Sequence, residues 1–237
     1  MTAAIATFKD LSIDAVDPPL LGPFWAAALG LEIRESSPEM VQLTGPTPQS
    51  TIWLARVPEP VTVKQRVHLD VHVADVDDVL DLGATPLDLE SFRWKVLRDP
   101  EGGEFCAFPR DEVPETRLYE VVVDCADPAR LTQWWAGVLG GRWEYDEEHG
   151  WGGIEDIPGA PFAHLVFVPV PEPKTVKNRI HWDLELPGLD PLIEHGASVL
   201  RLPDDEIRWT VLADPEGNEF CAFVEEAQRV DVVSDSR

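Results

Sequence analysis

Two strings in this chain of 237 residues carry side chains that can do chemistry: "RVHLDVHV" (66–73) and "RIHWDLEL" (179–186). Their strict alternation predicts strands, with His68, Asp70 and His72 on one face and Leu69, Val71 and Val73 on the other. In the second string His181, Asp183 and Glu185 take the polar face. A further pair, "RWKVLRDPEGGEFCAF" (93–108) and "RWTVLADPEGNEFCAF" (208–223), agrees at thirteen of sixteen positions across 115 residues. There the same period sets Glu104, Cys106 and Phe108 opposite Phe105 and Ala107, and Glu219 and Cys221 occupy the matching places. Imidazole, carboxylate and thiolate are ligands for a divalent ion such as Zn, Fe, Mn or Ni. With one position left open, such an ion polarises a substrate oxygen or acidifies water. Without an ion, the same groups orient a polar ligand. The plainer alternative is structural: a buried Cys packs as a small hydrophobe, and a His between Arg66 and Asp70 completes a hydrogen-bonded network.

Those side chains need strands to hold them. In "DPEG" the Asp, Pro and Gly suit the first, second and fourth positions of a type I turn, so each long string reads as a β-hairpin, Trp94–Leu97 and Glu104–Phe108 in the first. "KDLSIDAVDP" alternates Asp10, Ser12 and Asp14 against Leu11, Ile13 and Ala15, as a half-buried strand does. Asp17-Pro18 then opens a helix with Asp as N-cap and Pro at the first helical position, and Gly30 closes it. Asp127-Pro128 and Asp190-Pro191 repeat the signal. Strand-like runs follow near Leu31–Arg34, Met40–Thr44 and Thr51–Val57, and the pattern restarts at Arg66. Each copy is thus two strand–helix–three-strand modules, four in all. The expected division is 1–112 and 113–228, with a frayed tail at 229–237.

Composition narrows the partners. A net charge of −25 repels phosphate backbones and anionic membranes. No apolar run suits a membrane span and the start lacks a signal peptide, so the cytoplasm is the expected compartment. Three cysteines without CxxC spacing argue against a disulfide framework or structural zinc. P-loop, GxGxxG, GxSxG and HExxH motifs are absent. Among the nine tryptophans, Trp25 and Trp135 read as helix core, while Trp94 and Trp209 match across copies and suit an aromatic ligand wall. His149, His164 and His195 read as isolated. Lys174 and Lys177 sit in a connector that is either structural or an anion-binding lip.

Four βαβββ modules in this order resemble the vicinal oxygen chelate superfamily, and "DCADPARLTQWWAGVLGG", "VPEPKTVKNRIHWDL" and "VLADPEGNEFCAF" resemble its glyoxalase-like, bleomycin-resistance-like members. The resemblance covers about Ala6 to Glu226. It implies an α+β fold of two tandem domains, each a pair of modules curled into a cup, the modules pairing within each copy. It also implies metal ligands at Asp10, His68 and Cys106 in one copy and Glu120, His181 and Cys221 in the other, the cysteines standing where the metalloenzymes have Glu. A fourth ligand, on the last strand of the first module, is missing. On that reading Glu104 and Glu219 are candidate bases, and Asp70, Trp94, Asp183 and Trp209 contact ligand. The expected function is binding of a small organic molecule, by a monomer with two pseudo-equivalent domains or a homodimer. Alternatives are a metal-dependent lyase, isomerase or dioxygenase, and a drug-sequestering resistance protein in which an acidic cup attracts a cationic drug.

Overall fold

The structure, a computed structural model, describes residues 4–224; the proposed tail at 229–237 lies outside them. Among the described residues sixteen strands and four α-helices follow the expected order, with one 3-10 turn at Pro48–Ser50. Module one is β1 (Thr7–Ala15), α1 (Pro18–Leu29), β2 (Glu32–Ser36), β3 (Met40–Thr44) and β4 (Ile52–Arg56). Module two is β5 (Val67–Val73), α2 (Val76–Leu80), β6 (Thr85–Asp88), β7 (Lys95–Arg98) and β8 (Glu104–Pro109). Module three is β9 (Leu118–Cys125), α3 (Pro128–Leu139), β10 (Arg142–Asp146), β11 (Trp151–Glu155) and β12 (His164–Pro169). Module four is β13 (Ile180–Leu186), α4 (Asp190–Glu194), β14 (Ser198–Arg201), β15 (Thr210–Ala213) and β16 (Glu219–Val224).

The fold is α+β with two eight-stranded sheets, but the modules do not pair inside each copy as the resemblance implied. The first sheet runs β14-β15-β16-β13-β1-β4-β3-β2 and the second β10-β11-β12-β9-β5-β8-β7-β6. Modules one and four therefore share a sheet, joined by antiparallel β1 and β13. Modules two and three share the other through β5 and β9. Each sequence copy contributes one module to each sheet.

Helices α1 and α3 explain how this exchange is held. Asp17 caps α1 by accepting from Leu20 N at 3.2 Å, Asp127 caps α3 by accepting from Arg130 N at 3.1 Å, and Gly30 ends α1 in the left-handed region at φ 69°. Asp190 does not cap α4; it lies in the first turn behind Leu189, which has no side-chain oxygen to offer. Helix α1 lies on β2–β4 of the first sheet, yet its Trp25 meets Phe105 of the second sheet edge-on at 5.5 Å. Helix α3 lies on β10–β12, and its Trp135 meets Phe220 and Trp182 of the first sheet at 5.1 and 4.7 Å. Burying each of these rings stabilises the sandwich by about 2–3 kcal/mol.

The repeated "DPEG" turns add a polar tie across the same seam. Gly102 N bonds Asp99 O at 2.9 Å and Gly217 N bonds Asp214 O at 3.0 Å, closing the two turns. The Glu of each turn reaches the other sheet. Glu101 accepts from Val16 N and Asp17 N at 2.8 and 2.7 Å, and Glu216 from Ala126 N and Asp127 N at 2.7 and 2.8 Å. These backbone donors sit at the strand–helix corners of modules one and three, so the duplicated sentence is a staple between sheets. Among the described residues no helix is long and apolar enough to cross a membrane.

Candidate functional site

Because the modules exchange, the candidate ligands regroup. Asp10 lies opposite Asp183, and Asp183 opposite Cys221, in the first sheet. Glu120 lies opposite Asp70, and Asp70 opposite Cys106, in the second. The grouping of Asp10 with His68, Asp70, Glu104 and Cys106 is thus corrected: Asp10 belongs with His181, and Glu120 with His68. One rung of the second sheet carries four polar side chains from four strands, since His164 of β12 stands beside Glu120. His164 Nδ1 and Glu120 Oε1 are 2.9 Å apart. His164 is therefore a site residue that sequence reasoning set aside. Its alternation on β12 was visible; its neighbour was not.

Alternation delivers the rest of each cluster. His68, two residues from Asp70, brings its Nε2 to 3.4 Å from Asp70 Oδ1, and His181 Nε2 is 3.7 Å from Asp183 Oδ1. The ligand atoms of His68, Asp70 and Cys106 all lie within 4.8 Å of one another, as do those of His181, Asp183 and Cys221. In a tetrahedral site with bonds near 2.1 Å, ligand atoms are about 3.4 Å apart.

Burial governs the charges. It pushes His68 and His181 down to about 4, so both are neutral near pH 7 with a lone pair to offer. Asp70 is held well above the usual carboxylate range, first by burial and then by the charge of Glu120 beside it. Asp183 is raised in the same way by burial and Asp10. Each cup thus sets two carboxyl groups side by side, Asp70 against Glu120 and Asp183 against Asp10. Cys106 and Cys221 are raised by burial and by Asp70 or Asp183, which keeps them as thiols.

Around this common core the two cups differ. In the second sheet a cavity of about 980 Å³ is lined from seven strands, with His68, Asp70, Cys106, Glu120 and His164 at its polar side and Glu104 beside them. Its wall is aromatic. Phe92 stacks on Trp94 at 4.9 Å and 7°, Trp94 on Phe108 at 5.6 Å and 19°, and Tyr119 meets Phe108 edge-on at 5.2 Å. In the first sheet Trp209 stacks on Phe223 at 5.4 Å, but Lys9 stands where the second cup has Tyr119. Its Nζ pairs with Asp10 and lies 4.6 Å from the Phe223 centroid. Trp53 Nε1 also donates to Asp10, at 3.1 Å.

The two candidate bases differ likewise. Glu219 is engaged by Lys174 Nζ at 2.7 Å and Asn178 N at 3.1 Å. Among the described residues Glu104 has only Arg98, at 3.7 Å, because Val61 stands in the place of Lys174. Lys174 thus serves an internal ion pair, and Lys177 another, with Asp14 at 2.7 Å. His72, expected beside Asp70, instead accepts from Arg110 Nε at 3.2 Å and packs on Tyr119.

Similar folds exist among solved structures. Glyoxalase I from Zea mays superposes with a TM-score of 0.61 at 14% identity, over 92% of this chain and 92% of that one. A putative dioxygenase from Bacillus subtilis superposes with a TM-score of 0.64 at 12% identity, over 95% of this chain and 87% of that one. The cppA protein of Streptococcus pneumoniae gives 0.51 at 13%, over 93% and 100%. At such identities the likeness is one of fold. No curated protein matches in sequence. The family model described as a glyoxalase-like domain matches residues 10–108 and again 120–223, and with both repeats matched the chain belongs to the glyoxalase-like domain family.

Proposed function

We propose that the second sheet's cup binds a small organic molecule, its flat part against Phe92, Trp94 and Phe108 and its polar end at the Asp70–Glu120 pair. One observation carries this reading: a cavity of about 980 Å³ joins an aromatic wall to a buried carboxyl whose Oδ1 has no hydrogen-bond partner. Ligand sites of this size combine apolar lining with a few convergent polar groups, and an orphaned buried acceptor is costly unless a ligand or ion satisfies it. In the first cup Asp183 Oδ1 and Asp10 Oδ1 also lack partners, and the contrast lies around them: there Lys9 engages Asp10 Oδ2 and Lys174 engages Glu219.

A second reading is favoured by the His68–Asp70–Cys106 triplet and its repetition as His181–Asp183–Cys221. The donor set fits a divalent ion: His68 is neutral, Asp70 is short of partners, and their ligand atoms are 3.4 Å apart. The protonated thiol weakens the fit, because an ion must displace its proton. When bound, the ion would supply Lewis-acid polarisation of an oxygen on the ligand. Glu120, steadied by His164, and Glu104 would then be the carboxylates placed to take a proton from that molecule.

Both readings are tested by a flat-fragment screen using ligand-observed NMR, on wild type and Trp94→Ala, with and without added Zn²⁺. Fragments that bind wild type should be lost from Trp94→Ala. Binding that persists unchanged in the variant would remove this cup as the site. One equivalent of zinc retained by wild type and lost by His68→Ala, with fragment affinity raised by the metal, would favour the second reading.

A further inference from the structure

On the reading that the second cup is a binding site, we infer that the molecule it takes is an organic cation: a flat ring system bearing an amine or amidine, and not a carboxylate or phosphate ester. Six carboxyl groups line the cavity, on Asp70, Glu104, Glu120, Asp124, Glu144 and Glu155. Lys64 is the one ammonium among the lining residues, and it is held by Asp124 at 2.5 Å. Arg142 engages Glu155 at 2.7 Å, and Arg98 stands 3.7 Å from Glu104. That leaves Glu144 and the Asp70–Glu120 pair with no Lys or Arg partner among the described residues. Asp70 is only 4% exposed, and its Oδ1 lacks a donor.

The aromatic wall acts with the same sign. Ring faces carry negative charge density and attract cations, and the near-parallel faces of Phe92, Trp94 and Phe108 form this wall. Arg110 lies 5.8 Å from the Phe108 centroid but makes no ion pair with Glu120 among the described residues. An anion entering here would meet like charge in a partly desolvated space, where repulsion is least screened.

The first cup shows the arrangement with its own cation in place. There the Lys9 ammonium rests on Phe223 and pairs with Asp10, the counterparts of Phe108 and Glu120. The second cup has Tyr119 at the Lys9 position; Arg110 lies over the Phe108 and Tyr119 rings there, but no Lys or Arg among the described residues pairs with Glu120 or Asp70, and that pairing is left to a ligand.

The test is calorimetric titration of the chelator-dialysed full chain with three probes sharing one ring: 1-naphthylmethylammonium, 1-naphthylmethanol and 1-naphthoate. The ammonium should bind about tenfold or more tighter than the alcohol, with the carboxylate weakest, and added salt should narrow the gap. Glu144→Gln, a change on an exposed edge strand, should weaken the ammonium roughly threefold and leave the alcohol unchanged. Equal binding of ammonium and alcohol, or preference for the carboxylate, would overturn the cationic assignment. The binding role would then survive so long as Trp94→Ala still abolished that binding. If none of the three probes binds, both the assignment and the binding role fall.

Discussion

The two cups start from the same rung, a His, an Asp and a Cys opposite a second carboxylate, and end as different objects. In the first, Lys9 and Trp53 engage Asp10, while Lys174 and Asn178 engage Glu219. In the second, Tyr119 and Val61 take the places of the two lysines, and the carboxylates face a cavity instead. Two substitutions from cation to neutral residue therefore separate a cup whose outer carboxylates carry their own ammonium partners from one whose carboxylates face a cavity, although Asp183 Oδ1 and Asp70 Oδ1 are alike in lacking a partner. The shared rung says what the fold tolerates; the residues around it decide whether it is available.

The largest effect concerns what the cups share. Burial lowers both His68 and His181 to about 4 from an ordinary value of 6.5. A lowered folded-state value means that the stabilising contribution is complete above pH 6.5 and is lost as pH falls towards 4, because the unfolded chain then binds the extra proton. Each histidine contributes roughly 3 kcal/mol over that window. The raised carboxyls Asp70, Asp183 and Asp99 act with the opposite sign, so the useful quantity is a difference between proteins. Denaturant unfolding at pH 6.5 and 4.5 should show His68→Gln and His181→Gln each losing less stability on acidification than wild type, by similar amounts. Unequal flattening would mean that the cups differ at their core as well as at their rims.

The inter-sheet staples come next, at about 3 kcal/mol, since each Glu accepts two charge-assisted backbone bonds. Glu101 also meets Arg179 Nη2 at 3.3 Å. Glu101→Ala should therefore destabilise the protein by about 1 kcal/mol more than Glu216→Ala. Equal losses would show that the arginine adds nothing to the tie.

Much of this architecture was legible in sequence. Asp17-Pro18, the two "DPEG" turns and the period-two runs encode local geometry, and they placed His68 on the face of Asp70 and Phe105 opposite Cys106. What alternation cannot encode is the neighbour. Modules one and two, or one and four, would bury the same apolar faces. The choice rests on long-range contacts such as Trp25 on Phe105 and Trp135 on Phe220, and on Glu101 and Glu216 reaching across. For the same reason His164 looked isolated: its partner Glu120 comes from the register of β9 with β12. Nothing in the sequence marks Lys9 as the residue that pairs with Asp10 and covers Phe223.

Ligand binding should be confined to one cup. Trp94→Ala removes the middle of a three-ring stack and should weaken naphthylmethylammonium by tenfold or more, the scale of about 1.5–2 kcal/mol for an aromatic anchor. Trp209→Ala should leave that affinity within about twofold, since a ligand in the second cup never touches it. Equal losses would place the probe in both cups and dissolve the contrast.

The smallest effect is the most direct exchange between the cups. Lys9→Tyr gives the first cup the residue that the second one has, removing the ammonium from Asp10 and Phe223 together. The Lys9–Asp10 pair is partly exposed on the lysine side, so its loss should cost only about 1 kcal/mol. Trp53 Nε1 remains to hold Asp10, and neither Trp209 nor Phe223 has to move. With its own cation gone, the first cup keeps a buried carboxyl pair beside an aromatic face, the combination that the second cup offers to a guest. Calorimetry should then register a second, weaker site for naphthylmethylammonium, weaker because Ile207 stands where the second cup has Phe92. A second site in Lys9→Tyr that also takes 1-naphthoate would show that shape governs entry. Unchanged stoichiometry in a folded variant would mean that Lys9 is not what separates the two cups, and the difference would move to Lys174 and its hold on Glu219.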